Sequence, residues 1–387
     1  MAVPDDKITD FIAAMQRIYH IPTAPSDKTT TSWTPPPATA GHHGRYLWTD
    51  AFGVLNLITL SRVTPHRTHY ISLASTLVSK VHSILGRTRD QSSRLPGATD
   101  ENPLGGGLRI GKEHESGADG DGQYHHYLTL WMFALNRLSV ASAQPEYNDV
   151  AISLARAIHP AFVYQRSSSR PRMYWKVSMD LSHPLVHSEG NLDPVDGYVI
   201  FTLLQRTNGE GSTVLQDEIR DYEKIVQTKW QGYSSSDPLD LGMTLWTAHW
   251  LAGEEEHPWA GALLTKAKSD TMKLFDNGYF DRDIERRLAF REFGTALGIR
   301  CQCKDQDGWV DRADTITTMW RDAGLLEGGW KSRVNTDHDL APITLVMYAA
   351  ALVPGDSPAD ALSYGAAYSG TESDQGQRER YFVVWNR

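Results

Sequence analysis

The sequence predicts an all-α protein, six helical hairpins set as a ring of inner helices within a ring of outer ones. Three observations carry this. Helical periodicity runs through almost the whole chain, and strand signals are scarce. Two kinds of helix alternate strictly. The connections into one kind are often long, and those out of it are short. Of the 387 residues, we assign 1–353 to one barrel domain and 354–387 to a tail. The tail ends in the apolar run Tyr381-Phe382-Val383-Val384-Trp385 and is expected to pack back on the barrel.

The hairpins follow in chain order. The first pairs 8–19 with 46–61, and the second 69–88 with 124–138. The third pairs 146–164 with 194–205, and the fourth 214–231 with 238–252. The fifth pairs 259–275 with 287–300, and the sixth 312–326 with 338–353. The first member of each pair is amphipathic, with one charged face. Asp217, Glu218, Arg220, Asp221, Glu223 and Lys224 show the spacing that allows pairs one turn apart. The second member is apolar nearly all round after a polar start, as in Thr129-Leu130-Trp131-Met132-Phe133-Ala134-Leu135. Such a helix must be covered on most sides, so every second helix belongs inside. The inner helices start at unequal intervals, which disfavours a regular solenoid.

Composition narrows the function classes. A net charge of −9 argues against a general nucleic-acid binder, which needs a basic face. Apolar stretches such as 342–354 fall short of the roughly 20 residues a membrane span requires. Met1-Ala2-Val3-Pro4-Asp5-Asp6-Lys7 has no basic start followed by an apolar run, so no secretory signal is expected and the cytoplasm is the expected compartment. The two cysteines, Cys301 and Cys303, form no disulfide framework and suit a reducing environment.

Loop length places the site. Connections into the inner helices run about 20–45, 89–123, 165–193 and 327–337. In alternating hairpins these all lie at one end, and long loops in compact domains usually serve function. The N-termini of the inner helices meet at the same mouth, where free N–H groups favour negative charge. Asp193-Pro194-Val195-Asp196 and Asp237-Pro238-Leu239-Asp240 repeat one pattern at two inner-helix starts. Asp50-Ala51-Phe52-Gly53, Glu292-Phe293-Gly294 and Asp339 echo it.

This layout of six alternating pairs with a mouth at the inner N-termini resembles the six-hairpin glycosidase-like superfamily of (α/α)6 barrels, over roughly 8–353. The superfamily holds inverting glycoside hydrolases, unsaturated-uronyl hydrolases, sugar 2-epimerases and some polysaccharide lyases. The resemblance implies a pocket at that mouth and fixes no reaction, because one fold hosts several chemistries. The Arg/His pattern of the sugar 2-epimerases does not map here, so no catalytic residue is carried over.

Candidate residues are therefore chosen on chemistry. Asp50 sits in the first turns of an otherwise apolar helix, so it either faces the lumen as a general acid or base or pairs with Arg45. Asp193 and Asp237 read as N-caps before proline. Asp196 and Asp240 then fall at the third helical position, where they support the cap or point into the pocket. Glu189 is a loop carboxylate just before the third inner helix. Glu292 either serves substrate or pairs with the arginines at 286 and 287. His125 and His126 point about 100° apart on a helix, so only one can face the lumen. His126 is the candidate for proton transfer, and His125 and Tyr124 for substrate contact. No metal motif is present, so no metal or other cofactor is expected. Trp48, Trp175 and Lys176 offer aromatic faces and charge for a sugar, or seal the barrel top. His338 falls near the mouth, as do His42 and His43. Gly105–Lys112 has phosphate-loop spacing, but Glu113 replaces the required hydroxyl and no buried strand precedes it. It reads as a mobile lid offering Arg109 and Lys112 to an anionic group.

These residues predict a carbohydrate-active enzyme, an inverting glycoside hydrolase on a small intracellular glycoside. Asp50 would act with Glu189, Asp196 or Asp240. An isomerase or lyase using His126 and a carboxylate, an enzyme on a non-sugar metabolite and a non-catalytic binding barrel remain the alternatives. Oligomeric state is not legible.

Overall fold

The structure, a computed structural model, describes residues 3–22, 33–37, 45–117, 120–302, 308–327 and 340–355. Twelve α-helices among these residues alternate as the sequence predicts. The outer members are α1 (Asp5–Tyr19), α3 (Arg67–Leu85), α5 (Glu146–Phe162), α7 (Gln216–Lys229), α9 (Pro258–Asp276) and α11 (Trp309–Asp322). The inner members are α2 (Leu47–Val63), α4 (His125–Ser142), α6 (Asp193–Thr207), α8 (Pro238–Ala248), α10 (Ala289–Gln302) and α12 (Leu340–Leu352). Each inner helix packs on the next, and α12 returns to α2, so the inner ring closes.

Burial separates the two kinds. On α7 only Asp221, Tyr222, Ile225 and Val226 are buried, a single stripe facing inward. On α2 nearly every residue from Leu47 to Ser61 is buried. The core is one continuous apolar cluster from Phe11 to Val353. Inner helices α8 and α10 approach most closely, because Gly242, Gly294 and Gly298 meet there. A Cβ on Gly242 would stand 2.0 Å from the Gly294 carbonyl oxygen. Helices α6 and α8 are the least closely packed neighbours of the ring.

Short strands stiffen the loops at the mouth. β1 (Gln123–Tyr124), β4 (Lys176–Val177) and β5 (Pro184–Val186) form an antiparallel sheet, with Tyr124 opposite Lys176. β2 (Val163–Tyr164) pairs with β3 (Arg172–Met173). Trp175 lies between β3 and β4, on the turn between the two sheets. Among the described residues no helix is long and apolar enough to cross a membrane. The tail after 355 lies outside the described residues, as do His42, His43, His338 and Asp339.

Candidate active site

A cavity of about 360 Å³ opens at the N-terminal ends of α2, α4, α6, α8 and α10. That size falls within the range of small-molecule sites, about 300–1,000 Å³. It lies over the α6–α8 seam, where the two Asp-Pro-x-Asp segments begin their helices. Its wall carries Asp193 and Asp196 from α6, Asp237 and Asp240 from α8, and His126 from α4. Trp48, Trp175 and Trp246 supply aromatic surface.

The two repeats are not built alike. Asp237 is a true N-cap, its Oδ1 accepting from the backbone N–H groups of Leu239 at 2.8 Å and Asp240 at 3.1 Å. Its Oδ2 pairs with Arg291. Asp193 is not a cap. Leu192 takes the N-cap position without a side-chain bond, and Asp193 is already helical. Its carboxylate is thereby free to turn toward α4. Asp193 Oδ1 lies 3.3 Å from His125 Nδ1 and 3.7 Å from His126 Nδ1. Gly190 is required beside it, since a Cβ there would collide with Asp193 Oδ2.

The carboxyls differ in charge preference. Burial alone would raise Asp193, but the two histidines reverse this and hold it below the usual carboxylate range. Burial, then the Asp193 charge, pushes Asp196 well above that range, against a hydrogen bond from Thr247 Oγ1 of 2.8 Å. Asp240 is also raised by burial, although Asn191 donates to its Oδ2 at 2.8 Å. Two carboxyls whose surroundings push their protonation in opposite directions therefore stand one helical turn apart on the cavity wall.

Of the two adjacent histidines, His126 reaches the cavity and His125 is fully buried behind it. Tyr124 stacks on His126 at 5.6 Å and tilts against Trp175 at 4.9 Å. Trp175 donates from Nε1 to Ser188 Oγ at 3.1 Å, which fixes its ring at the rim. Lys176 is buried and lies over the Tyr124 ring, its Nζ donating to the Gly120 carbonyl at 2.7 Å. Tyr124 and Lys176 thus support the wall from behind.

Other candidates lie apart from the cavity. Asp50 is fully buried in a closed ion pair, its Oδ1 accepting from Arg45 Nε at 2.6 Å and Tyr19 Oη at 3.0 Å. Arg45 is held further by the Pro36 carbonyl at 2.6 Å. Pairing, not lumen exposure, is how this helix start tolerates a carboxylate. Glu189 sits between Arg172 at 3.4 Å and Lys229 at 3.1 Å, outside the cavity lining. Glu292 is locked by bidentate Arg287, at 2.7 and 2.6 Å, and by Trp320 Nε1 at 2.7 Å.

The glycine-rich segment is not a lid. Residues 106–111 are buried, and Arg109 pairs with buried Asp121 at 3.0 Å. Asp121 Oδ1 also accepts from the backbone N–H groups of Gly111, Lys112 and Gly122. Lys112 lies over the Tyr46 ring at 4.4 Å. The acidic partner nine residues beyond Lys112 is what a reading of the glycines alone misses. Asp193, Asp237, Asn191 and Arg291 join the wall without having been singled out for it, and the Asp-Pro-x-Asp repeat was the signal that could have found the first two.

No protein-family model and no curated protein matches this chain. Among solved structures it is similar to a family 76 glycoside hydrolase from a bovine Bacteroides thetaiotaomicron strain. The match has a TM-score of 0.54 at 12% identity, over 90% of this chain and 77% of that one. The likeness is one of fold, an α/α barrel of six hairpins.

Proposed function

We propose that the cavity binds a small glycoside and hydrolyses its glycosidic bond by acid–base chemistry on two carboxyls of α6. The observation that carries this reading is the Asp193–Asp196 pair. They share one helix turn and one cavity wall, and their surroundings drive their protonation in opposite directions. Asp196, kept protonated, donates a proton to the leaving oxygen. Asp193, kept anionic, takes a proton from the attacking water. Trp48 and Trp175 offer faces on which a sugar ring stacks. The glycoside hydrolase of similar fold supports carbohydrate as the substrate class.

The test is proton NMR of the purified protein with a panel of glycosides and free sugars in heavy water. New anomeric signals report hydrolysis, and their initial α/β ratio reports the stereochemistry. Asp193→Asn and Asp196→Asn should each lower kcat/KM by about 10²–10⁴-fold while the fold is kept. Activity should rise as Asp193 loses its proton at low pH and fall as Asp196 loses its own at higher pH. Exchange of a ring proton without hydrolysis would replace this reading with epimerisation through His126, and silence across the panel would remove the sugar.

A further inference from the structure

The cavity wall has a second layer that the proposed reaction does not itself use. His125 is fully buried, and its Nε2 lies 2.7 Å from Tyr222 Oη. Tyr222 comes from outer helix α7 and passes beside α6 to reach it. Gly197, one turn beyond Asp193, makes the passage possible, since a Cβ there would stand 2.5 Å from the Tyr222 ring. His125 Nδ1 and Asp193 Oδ1 are both buried, and neither has an aligned hydrogen bond among the described residues. They face each other at 3.3 Å.

Donor and acceptor accounting settles the protons. Burial keeps Tyr222 a neutral phenol, so its hydroxyl hydrogen needs an acceptor. If His125 carries its proton on Nε2, the phenol hydrogen has none, and Nδ1 turns a lone pair toward a carboxylate. If His125 is doubly protonated, the phenol hydrogen is again stranded. Only the Nδ1–H tautomer gives the phenol hydrogen an acceptor and turns a proton, rather than a lone pair, toward the carboxylate. We propose that Tyr222 is a positioning residue, whose hydroxyl donates to His125 Nε2 and so fixes the His125 proton on Nδ1, the ring edge that faces Asp193 Oδ1.

This rests on the Asp193 role proposed above only for its catalytic consequence. The tautomer is a property of the resting protein. The other titratable groups around the relay are His126 from α4, His159 from α5, Asp196 from α6 and Glu218 and Asp221 from α7, with Arg166 in the loop after α5 and Asp240 on α8. Asp221 is held by Arg166 at 2.8 Å and His159 at 3.2 Å, and no hydrogen bond ties it to Tyr222. Tyr222 is the group in hydrogen-bond contact with His125 Nε2.

The test is the long-range ¹⁵N–¹H spectrum of histidine-labelled protein, with His125 assigned by its absence in His125→Asn. The wild type should show the Nδ1–H tautomer. Tyr222→Phe keeps the ring against Gly197 and removes only the hydroxyl, so it should stay folded, melt somewhat below wild type because His125 Nε2 loses its partner, and show a mixture of tautomers. Its Asp193 carboxyl carbon, followed by ¹³C NMR, should titrate about one pH unit higher. His125→Asn, which keeps an N–H near the Nδ1 position, should restore most of that shift, and His125→Leu should not. Where a glycoside is turned over, Tyr222→Phe should lower kcat and move the acid limb of the rate profile upward by the same unit, with KM unchanged. An Nε2–H or doubly protonated His125 in the wild type, or a Tyr222→Phe spectrum identical to wild type, overturns the proposal. Absence of turnover on every glycoside overturns the reading of the function and leaves the tautomer result standing.

Discussion

At the scale of single residues, the molecule shows two ways to keep a carboxylate inside an apolar ring. Asp50 is matched at once by Arg45, five residues earlier, and by Tyr19. Removing its charge strands a buried guanidinium, and breaking one side of a buried pair costs about 3–5 kcal/mol. Asp50→Asn should therefore lower the unfolding free energy measured in urea by an amount of that order, while the folded fraction keeps its kcat. A loss of kcat at full stability would return Asp50 to the active site. Asp193 is matched instead by two histidines, of which His126 borders the cavity. Asp50 was legible as lumen-facing or paired, and sequence spacing alone could not choose between them. The sequence showed Asp193 as a cap because proline follows it, as it follows Asp237. The difference arises at Leu192, whose carbonyl accepts from Val195 and Asp196 and starts the helix one residue early, while Gly190 leaves room for the Asp193 carboxylate. Glu189 and Glu292 were visible as carboxylates near the mouth. What removed them from the wall was the cations at 172, 229 and 287, two of them on other segments of the chain.

At the scale of elements, the alternation of charged-face and all-apolar helices was fully legible, because it reflects how many sides of each helix are covered. All twelve helices occur where that alternation puts them. How closely neighbours approach was not legible, since it depends on which glycines face each other. Gly242 on α8 meets the backbone of α10, so Gly242→Ala forces two inner helices apart. Overpacking of this kind costs about 1–3 kcal/mol. Gly261 on outer helix α9 has open space around its missing side chain. Gly261→Ala should instead stabilise by about 0.5–1 kcal/mol through helix propensity. Thermal melts of the two variants should move in opposite directions. If both move alike, the closeness of α8 and α10 is not what Gly242 serves. The loops tell a related story. Residues 105–112 carry the glycines expected of a flexible segment, and Asp121 fixes its end through the backbone N–H groups of Gly111 and Lys112. Glycine here serves close packing and positive φ, as at Gly107 and Gly111.

At the scale of the whole molecule, the packing of outer helices on the inner ring buries titratable groups away from water. His159 is the clearest. It is fully buried between α5 and α7, and burial pushes its imidazole down to about 4 despite the hydrogen bond to Asp221. Unfolded, it would titrate near the ordinary 6.5. Between those values the unfolded chain binds a proton at this site and the folded chain does not. Stability therefore rises with pH across the window and falls on acidification. Raised carboxyls such as Asp196 act with the opposite sign, because the folded state holds their protons longer. The wild-type profile sums both sets, so the histidine term is best isolated by difference. His159→Gln keeps an N–H for Asp221 and removes the titration. Relative to wild type, its stability should gain about 1.4 kcal/mol for each pH unit between 6 and 4.5, read from urea midpoints at matched pH. Parallel profiles would mean that His159 takes up its proton as readily in the folded barrel as in the unfolded chain, and that the packing of α5 on α7 does not keep it dry.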